Sequence, residues 1–336
     1  MMQSQFEFDL SKATPYLRGA NSVPASPPME HFLGEFSKQK YTLDKIIQVK
    51  GRQGIATNTT HYFVSSSTAL YTYDLEGNLL MQNDDPFVDL PPPINHFGDI
   101  GYYDGELYTG VEYFESGRGQ NIQIALYDAE TLNYTRSWLW DAASGQVECS
   151  AITIDTDNSL VWMTDWVDSN YIYKYDLQTG DYVGKLHLRA TPVWTQGISA
   201  YKGDLYVTAD DGDVDRNEPD DLWLIPGDKL EENSTLIQHE LALTAPPLIM
   251  MGEIEGLDFN RATNQMIVLS NRGMQIVLGM PTGYYPGYTE EIHDLYVFNI
   301  TADESIDVDV DVIDEPETVP APTLDDPTTS SVSSLL

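Results

Sequence analysis

The sequence predicts an all-β protein that folds as a β-propeller of five blades, with six blades as the less favoured count. Three observations favour this fold: a strand motif recurs five times, turn residues follow the copies, and aromatic residues are abundant. Of the 336 residues, 11% are aromatic and 21 are tyrosine, and such side chains suit the pleated, half-buried surface of a sheet. All-β chains of this length often form one domain, so we expect a single ring.

The recurring motif is a small residue followed by isoleucine or leucine and a short strand. Its copies are QGIAT from Gln53, GDIGY from Gly98, SAITI from Ser150, QGISA from Gln196 and EGLDF from Glu255. The copies are about 45 to 60 residues apart, near the length of roughly 40 to 50 residues typical of one propeller blade. We therefore expect each copy to be the innermost strand of a blade.

Further strands follow each copy of the motif. The turns between them include Asp104-Gly105 and Gly203-Asp204, pairs that favour chain reversal. The predicted second strands are HYFVSS, ELYTGVE, SLVWMTD, DLYVTAD and QMIVLSN, and the third strands are LYTYDLEGN, IALYDAET, IYKYDLQTG, DLWLIPGD and DLYVFNIT. Outer strands include YTRSWLW, YVGKLHLR and STLIQHELAL. The last unit has no fourth strand, and residues 41–50 are predicted to supply it, since such closure leaves no open sheet edge.

Composition divides the chain into three parts. Residues 1–40 read as an irregular lead-in that prolines interrupt. Residues 41–302 form the propeller. Residues 303–336 are acidic and then rich in Ser, Thr and Pro, and we expect a disordered tail because this composition buries too little apolar surface to offset chain entropy.

The formal net charge is −36, from 53 acidic and 17 basic residues. Such a surface repels nucleic acid and anionic lipid, so we expect neither as a partner. A small-molecule or glycan ligand and a monomeric protein are the expectations that remain. The acidity fits a cation site, a saline habitat or solubility alone, and composition does not separate these.

The sequence features that bear on cellular location point in different directions. Four N-glycosylation sequons stand at Asn58, Asn133, Asn233 and Asn299, and they favour an extracellular protein. The N-terminus has no apolar core of signal-peptide length, no apolar segment is long enough to insert into a membrane, and the single cysteine, Cys149, excludes an internal disulfide.

The fold predicts where a site can form. Because strands alternate in direction, the starts of the inner strands and the loops between second and third strands share one rim of the channel. The side chains expected on that rim are mostly acidic. Besides the residues assigned roles below, the rim holds Arg52, Cys149, Trp166, Asp210, Glu253 and Asn271.

Converging oxygen ligands on this rim predict a calcium site, since Ca²⁺ requires several oxygens around one point. Several of the acidic residues on the rim lie in the loop ADDGDVDRNEPDD. Its alternating aspartates resemble the start of an EF-hand. The loop lacks the glycine at position six and the glutamate at position twelve of that motif, so an acidic turn is the alternative. The predicted metal ligands are Glu148, Glu255, Asp99, Asp211, Asp213 and Asp215.

Proton transfer is predicted for three residues. His96 stands near Asp99 at a strand start, where it is either a general base or a structural histidine. The predicted catalytic residues are His96, Asp99 and Glu255. The predicted substrate-binding residues are Gln53, Trp194, Gln196, Glu112, Arg118, Asp165 and Arg272. The long loop over residues 278–294 is expected to be a lid over the rim or a packed connector.

Two strand segments carry a resemblance to known propellers. They are WTQGISAYKGDLYV, residues 194–207, and GEIEGLDF, residues 252–259. They resemble the five-bladed glutamine-cyclotransferase type, which cyclises N-terminal glutamine, and the six-bladed lactonase and phosphotriesterase group, which holds a catalytic calcium. In the second resemblance Glu148, Gln196 and Glu255 stand where calcium ligands are placed.

Together these observations predict a calcium-dependent hydrolase or lyase that acts on a small molecule at the top of the channel. One alternative is a cyclotransferase without calcium, in which Glu255 is the general acid/base and Trp194 packs on the substrate. The other is a propeller that binds a sugar, peptide or partner protein without catalysis.

Overall fold

The computed structural model shows a five-bladed β-propeller and confirms the predicted fold. It describes residues 39–302 apart from 116–117, 168, 190, 214–215, 217, 244–250 and 278–279. The predicted tail, and all but the last two residues of the predicted lead-in, lie outside the described residues. Within these residues, no helix has the length and apolar character needed to cross a membrane.

Each blade is an antiparallel sheet with its first strand at the channel. The inner strands are β2 (Gly54–Thr57), β6 (His96–Tyr103), β10 (Ala151–Asp155), β14 (Thr195–Tyr201) and β19 (Gly252–Asn260). The second strands are β3 (His61–Ser65), β7 (Glu106–Glu115), β11 (Leu160–Thr164), β15 (Asp204–Ala209) and β20 (Gln265–Arg272). The third strands are β4 (Leu70–Asp74), β8 (Arg118–Asp128), β12 (Tyr171–Asp176), β16 (Asp221–Ile225) and β23 (Ile292–Ala302). The outer strands are β5 (Leu79–Asn83), β9 (Tyr134–Leu139), β13 (Tyr182–Arg189), β18 (Gln238–Ala242) and β1 (Gln39–Val49).

The ring is closed by the N-terminal strand, as predicted. Strand β1 pairs with β23 from Gln39 opposite Ala302 to Val49 opposite His293, and it begins two residues before the predicted start of the propeller. The inner strands contact one another in the cyclic order β2, β6, β10, β14, β19 and β2. No blade therefore needs a partner chain to complete its sheet.

Two segments differ from the sequence prediction. The predicted outer strand STLIQHELAL forms two strands, β17 (Ser234–Leu236), which pairs in parallel with β13, and β18. The side chain of Ile237 between them is buried, so the chain is anchored where it passes from one blade to the next. Part of the predicted lid loop, residues 278–294, forms β22 (Met280–Tyr284), which pairs with β21 (Met274–Val277) just before the loop, and the last residues of the loop belong to β23.

The core lies between neighbouring blades, because each sheet presents alternate side chains to the next. Phe63 of the first blade packs in one cluster with Phe97 and Leu107 of the second. Tyr201 stacks on Phe259 of the following blade with ring centroids 4.2 Å apart. Aromatic side chains fill the wedge between blades, which accounts for the aromatic content of the chain.

Bulges occur near the start of the inner strand in three blades. The ladder skips Gly98 and Asp99 in β6, Gln196 in β14, and Glu255 and Gly256 in β19. A bulge re-aims the side chain of the extra residue and commonly lies beside a functional site. Asp99, Gln196 and Glu255 thus differ from the regular alternation of their strands.

Asp99 ties the inner strands together at the centre of the ring. Its Oδ1 accepts hydrogen bonds from the amide nitrogens of Ile55 at 3.0 Å and Ile100 at 2.8 Å, and its Oδ2 lies 3.5 Å from the amide nitrogen of Leu257. A Cβ atom on Gly54 would lie 2.5 Å from the Asp99 Cα, and one on Gly256 would lie 2.4 Å from Oδ1. Burial raises the pKa of Asp99 well above its usual range, which favours the neutral carboxyl.

We predict that Asp99→Ala lowers the free energy of unfolding by about 2 to 4 kcal/mol, because buried amides of two blades lose their acceptor. Asp99→Asn resembles the neutral carboxyl and keeps one acceptor oxygen, so it is expected to cost about 1 kcal/mol or less. Urea unfolding of both variants measures the difference. An alanine variant as stable as the wild type would show that Asp99 does not hold these strands.

Candidate functional site

The rim predicted from strand order brings three potential ligand residues together. His96 begins β6, Glu112 lies directly opposite it on β7, and Glu148 precedes β10. One ligand atom from each lies within 4.8 Å of the others, and this is the only such group of three His, Cys, Asp or Glu residues in the described part of the chain. We call these three residues the His96 cluster.

The imidazole of His96 faces an oxygen on each side. Its Nδ1 lies 3.2 Å from Oε1 of Glu112, and its Nε2 lies 3.1 Å from Oε1 of Gln53. Only a protonated imidazole donates from both nitrogens. The imidazole of His96 therefore lies within hydrogen-bond distance of Glu112 on one side and of Gln53 on the other.

Glu148 shares a buried environment with other carboxylates. Its Oε2 accepts a hydrogen bond of 2.7 Å from the amide of Trp166, and its side chain also bonds that of Glu112. Burial, followed by the charges of Glu112 and Asp165, raises the pKa of Glu148 well above its usual range. Two carboxyl groups in such proximity hold a proton between them unless a cation replaces it.

Asp165 supports this cluster from behind. Its Oδ1 accepts from the amides of Val147 and Glu148 at 3.0 and 3.1 Å, and its Oδ2 accepts from the hydroxyl of Tyr173 at 2.7 Å. Burial raises the pKa of Asp165 despite these bonds. These contacts hold Asp165 against Glu148 and Tyr173, and its role in substrate binding stays a prediction.

A second group of charged residues centres on Arg52. The guanidinium lies 2.9 Å from Glu253, 3.8 Å from Glu255 and 3.2 Å from Glu291. Gln53, which contacts His96, follows Arg52 directly in the chain, so this arginine group adjoins the His96 cluster. A guanidinium already occupies the position that a metal would need beside Glu255.

Glu255 lies at the bottom of the arginine group. Its Oε1 accepts a 2.6 Å hydrogen bond from the side-chain amide of Asn271. Burial, and then the charge of Glu253, raises the pKa of Glu255 well above its usual range. Burial thus favours the protonated form of Glu255, which can hold a proton for transfer.

Three aromatic side chains lie beside the His96 cluster. The ring of Phe114 is 5.3 Å from His96 and 6.2 Å from Trp166, and Trp166 is 5.0 Å from Trp194 between centroids. All three rings are partly exposed. We call Phe114, Trp166 and Trp194 the aromatic row.

The other predicted residues of the rim have different surroundings. Asp99 contacts backbone amides below the rim, so the partner of His96 is Glu112. Arg272 donates to Asp294 at 2.6 Å and its guanidinium packs over Tyr288. Gln196 is partly exposed on its bulge, and Arg118 is exposed at the start of β8 opposite Glu115.

The acidic loop is organised around donors of its own blade. Asp211 accepts from the amide of Asp221 at 3.0 Å and from the indole of Trp223 at 2.9 Å. Asp213 forms a bridge with Glu218 and an ion pair with Arg216, and Asp215 lies outside the described residues. This arrangement suits an acidic turn, the alternative to the EF-hand-like loop.

A cavity of about 200 Å³ opens at the opposite end of the inner strands. Two of its charged lining residues already have partners in the protein. Asp258 accepts from the amide of Thr57 at 2.8 Å and from the hydroxyl of Ser199 at 3.0 Å, and Arg261 donates to the carbonyl of Ala200 at 2.6 Å. We therefore place the candidate site at the end that holds the His96 cluster.

Sequence reasoning found the rim but not every residue in it. Phe114 and Glu291 were missed, because a partly exposed aromatic and one more acid look ordinary in this composition. Glu112 contacts the imidazole of His96, and its role in substrate binding stays a prediction. The register of β6 and β7 could have predicted this contact, because two residues directly opposite each other on neighbouring strands point to the same face of the sheet.

No known protein family and no curated protein matches this chain. The solved structures with partly similar backbones include an aldose sugar dehydrogenase and a hydrazine synthase. The PQQ-bound aldose sugar dehydrogenase of Streptomyces coelicolor is 12% identical with a TM-score of 0.44, covering 78% of this chain and 99% of that one. The hydrazine synthase of Kuenenia stuttgartiensis is 12% identical with a TM-score of 0.39, covering 69% of this chain and 60% of that one. Structural similarity this low does not indicate a shared function. The resemblance to cyclotransferases and lactonases stays a prediction.

Buried acids beside the site predict how stability depends on pH. Burial raises the pKa of Asp220 to about 7, whereas the pKa of an unfolded aspartate is about 3.9. The folded protein therefore holds a proton that the unfolded chain has lost, and stability falls as pH rises from about 4 to 7. Asp220→Asn removes this loss and is expected to be about 1 to 3 kcal/mol more stable than the wild type at pH 8, with little difference at pH 4.

Chemical unfolding at both pH values measures this effect. Asp176→Asn is the control, because hydrogen bonds from the amides of Thr179 and Gln178 lower the pKa of that exposed carboxylate, so its replacement does not stabilise at pH 8. An Asp220→Asn protein less stable than the wild type at pH 8 would contradict the conclusion that ionising the buried Asp220 destabilises the folded protein.

Proposed function

We propose that this protein is a metal-dependent hydrolase or lyase that acts on a small molecule at the mouth of the propeller channel. The observation that carries the proposal is the His96 cluster, in which an imidazole and two buried carboxyl groups lie within 4.8 Å. A buried group of like charges is costly without a proton or a cation to neutralise it. A divalent cation is the ligand that best removes this cost.

The donor set supports a metal, and it also bears on which metal. His96 supplies nitrogen, Glu112 and Glu148 supply oxygen, and Gln53 Oε1 lies beside the imidazole. Calcium prefers six to eight oxygen ligands, whereas an imidazole with carboxylates suits Mn²⁺, Fe²⁺ or Zn²⁺. We therefore propose a transition metal ahead of the Ca²⁺ expected from the sequence.

The surrounding side chains supply the other functions of a hydrolytic or eliminating enzyme. A cation bound by the His96 cluster would polarise a carbonyl or phosphoryl oxygen of the substrate. The side chain of Arg52 is 25% exposed and that of Glu253 is 10% exposed, whereas Glu255 is only 2% exposed. Glu291, which also pairs with Arg52, is 15% exposed. Arg52, Glu253 and Glu291 are therefore the members of the arginine group that can contact the substrate, and the buried Glu255 is a proton reserve.

Metal titration tests this proposal. After dialysis against EDTA, we expect Mn²⁺ or Zn²⁺ to bind once per chain by calorimetry and to raise the melting temperature, because a ligand specific to the folded state stabilises it. Binding must displace the proton of Glu148, so affinity is expected to rise from pH 6 to pH 8. Glu148→Gln is expected to weaken binding about 10- to 100-fold or more.

Glu130→Gln is the matched control, since Glu130 is exposed in an outer turn and its replacement leaves affinity unchanged. Preference for Ca²⁺ over both transition metals would overturn the choice of metal. No binding of any of the three cations, or equal binding by Glu148→Gln, would contradict the proposed site.

A binding propeller without catalysis is the second candidate, and the aromatic row is the observation that favours it. Glu255→Gln separates the two functions, because it removes the proton reserve and keeps the hydrogen bond to Asn271. We expect the variant to lose at least about tenfold in turnover of an ester, lactone or phosphotriester found by screening, with its ligand affinity retained. A variant with unchanged turnover would remove Glu255 from the mechanism.

A further inference from the structure

We propose that the aromatic row is a stacking subsite for a sugar ring, so that the substrate class is a carbohydrate or a sugar ester. This inference rests on the proposed function, because it names the substrate of the same site. Phe114 is the penultimate residue of β7, Trp166 follows β11 and Trp194 precedes β14, so three successive blades each contribute one ring. The rings meet at the rim and belong to none of the buried core clusters found among the described residues.

The aromatic row is fixed to the candidate metal site by direct contacts. The amide of Trp166 donates to Glu148 at 2.7 Å, and the ring of Phe114 lies 5.3 Å from that of His96. The carbonyl of Trp166 accepts from the amide of Thr195, the neighbour of Trp194, at 3.1 Å. A sugar ring that stacks on the indoles of Trp166 and Trp194 would therefore be held at a defined position beside the His96 cluster.

Two features show that the indoles are not placed to satisfy the core. Trp194 has a φ of +58°, a left-handed conformation that is unfavourable for a bulky side chain and concentrates at functional sites. The indole nitrogens of Trp140, Trp162 and Trp223 each donate to an oxygen. That of Trp166 is buried without a partner among the described residues.

The neighbouring polar groups favour a neutral polyhydroxylated ligand. A net charge of −36 and the carboxylates of the rim disfavour an anion. A metal held by the His96 cluster would repel a cationic substrate. Gln53 and Gln196 offer neutral amides at two of the inner-strand starts, and such groups both donate to and accept from hydroxyls, while the apolar face of a sugar ring packs on an aromatic surface.

Tryptophan fluorescence of the full chain tests this inference directly. The titration uses methyl glycosides of glucose, galactose, mannose and xylose, and their disaccharides, in EDTA and again with Mn²⁺. We expect saturable quenching by at least one sugar in both conditions. Trp194→Ala is expected to weaken that binding about tenfold or more, and Trp194→Phe to retain most of it.

Trp138→Ala is the matched control. Trp138 lies on the outer strand β9, where its ring packs against that of Tyr108 on β7, so we expect its replacement to leave sugar affinity unchanged. If Trp194→Ala does not fold by circular dichroism, the Trp194→Phe and Phe114→Ala variants provide the comparison, and Phe114→Ala is expected to weaken binding as well.

The outcomes separate this inference from the proposed function. Sugar binding that depends on the aromatic row, with no metal binding, would support the subsite and contradict the metal-dependent enzyme. Metal binding without quenching by any sugar, up to the solubility of each, would overturn the subsite and leave the enzyme proposal standing. Binding of tetramethylammonium in place of sugars, or equal sugar affinity in Trp194→Ala, would also overturn the subsite.

Discussion

One buried carboxyl group sets the geometry of the ring. Asp99 accepts hydrogen bonds from its own strand and from β2, and its second oxygen approaches β19, so three inner strands are held at fixed distances. Glycine at Gly54 and Gly256 is required because any side chain there would collide with this group. Since β6 also contacts β14 and β19 across the centre, the channel is narrow at this level.

The mouth of the channel holds two groups of closely spaced acidic side chains, the arginine group and the His96 cluster. In the arginine group, the charge of Arg52 offsets part of that of the glutamates around it. In the His96 cluster, burial and then the charges of Glu112 and Asp165 raise the pKa of Glu148 well above its usual range. The arginine group contains a cationic side chain among its carboxyl groups, whereas the His96 cluster combines an imidazole and two carboxyl groups, all of them potential metal ligands. The aromatic row lies on the side of the cluster away from core packing, where a substrate can contact both.

The fold was predictable from the sequence because it depends on a repeated local pattern. Each inner strand begins with the same motif, and strand alternation then places the rim. Partners within the rim were not predictable, because they depend on bulges that break the alternation. His96 and Asp99 are three residues apart, yet the bulge at Gly98 and Asp99 directs Asp99 into the ring while His96 pairs with Glu112. Likewise, the aspartates at 211 and 213 have the spacing of calcium ligands, but Trp223 and Arg216 from their own blade engage them.

The central claim is that the His96 cluster binds a divalent cation. Crystals grown with Mn²⁺ and measured at the manganese absorption edge test it most directly, since the anomalous signal locates the ion without assumptions about activity. The account predicts one strong peak within coordination distance of His96, Glu112 and Glu148. A structure with no peak there, or with manganese bound instead at the acidic loop around Asp211, would contradict it.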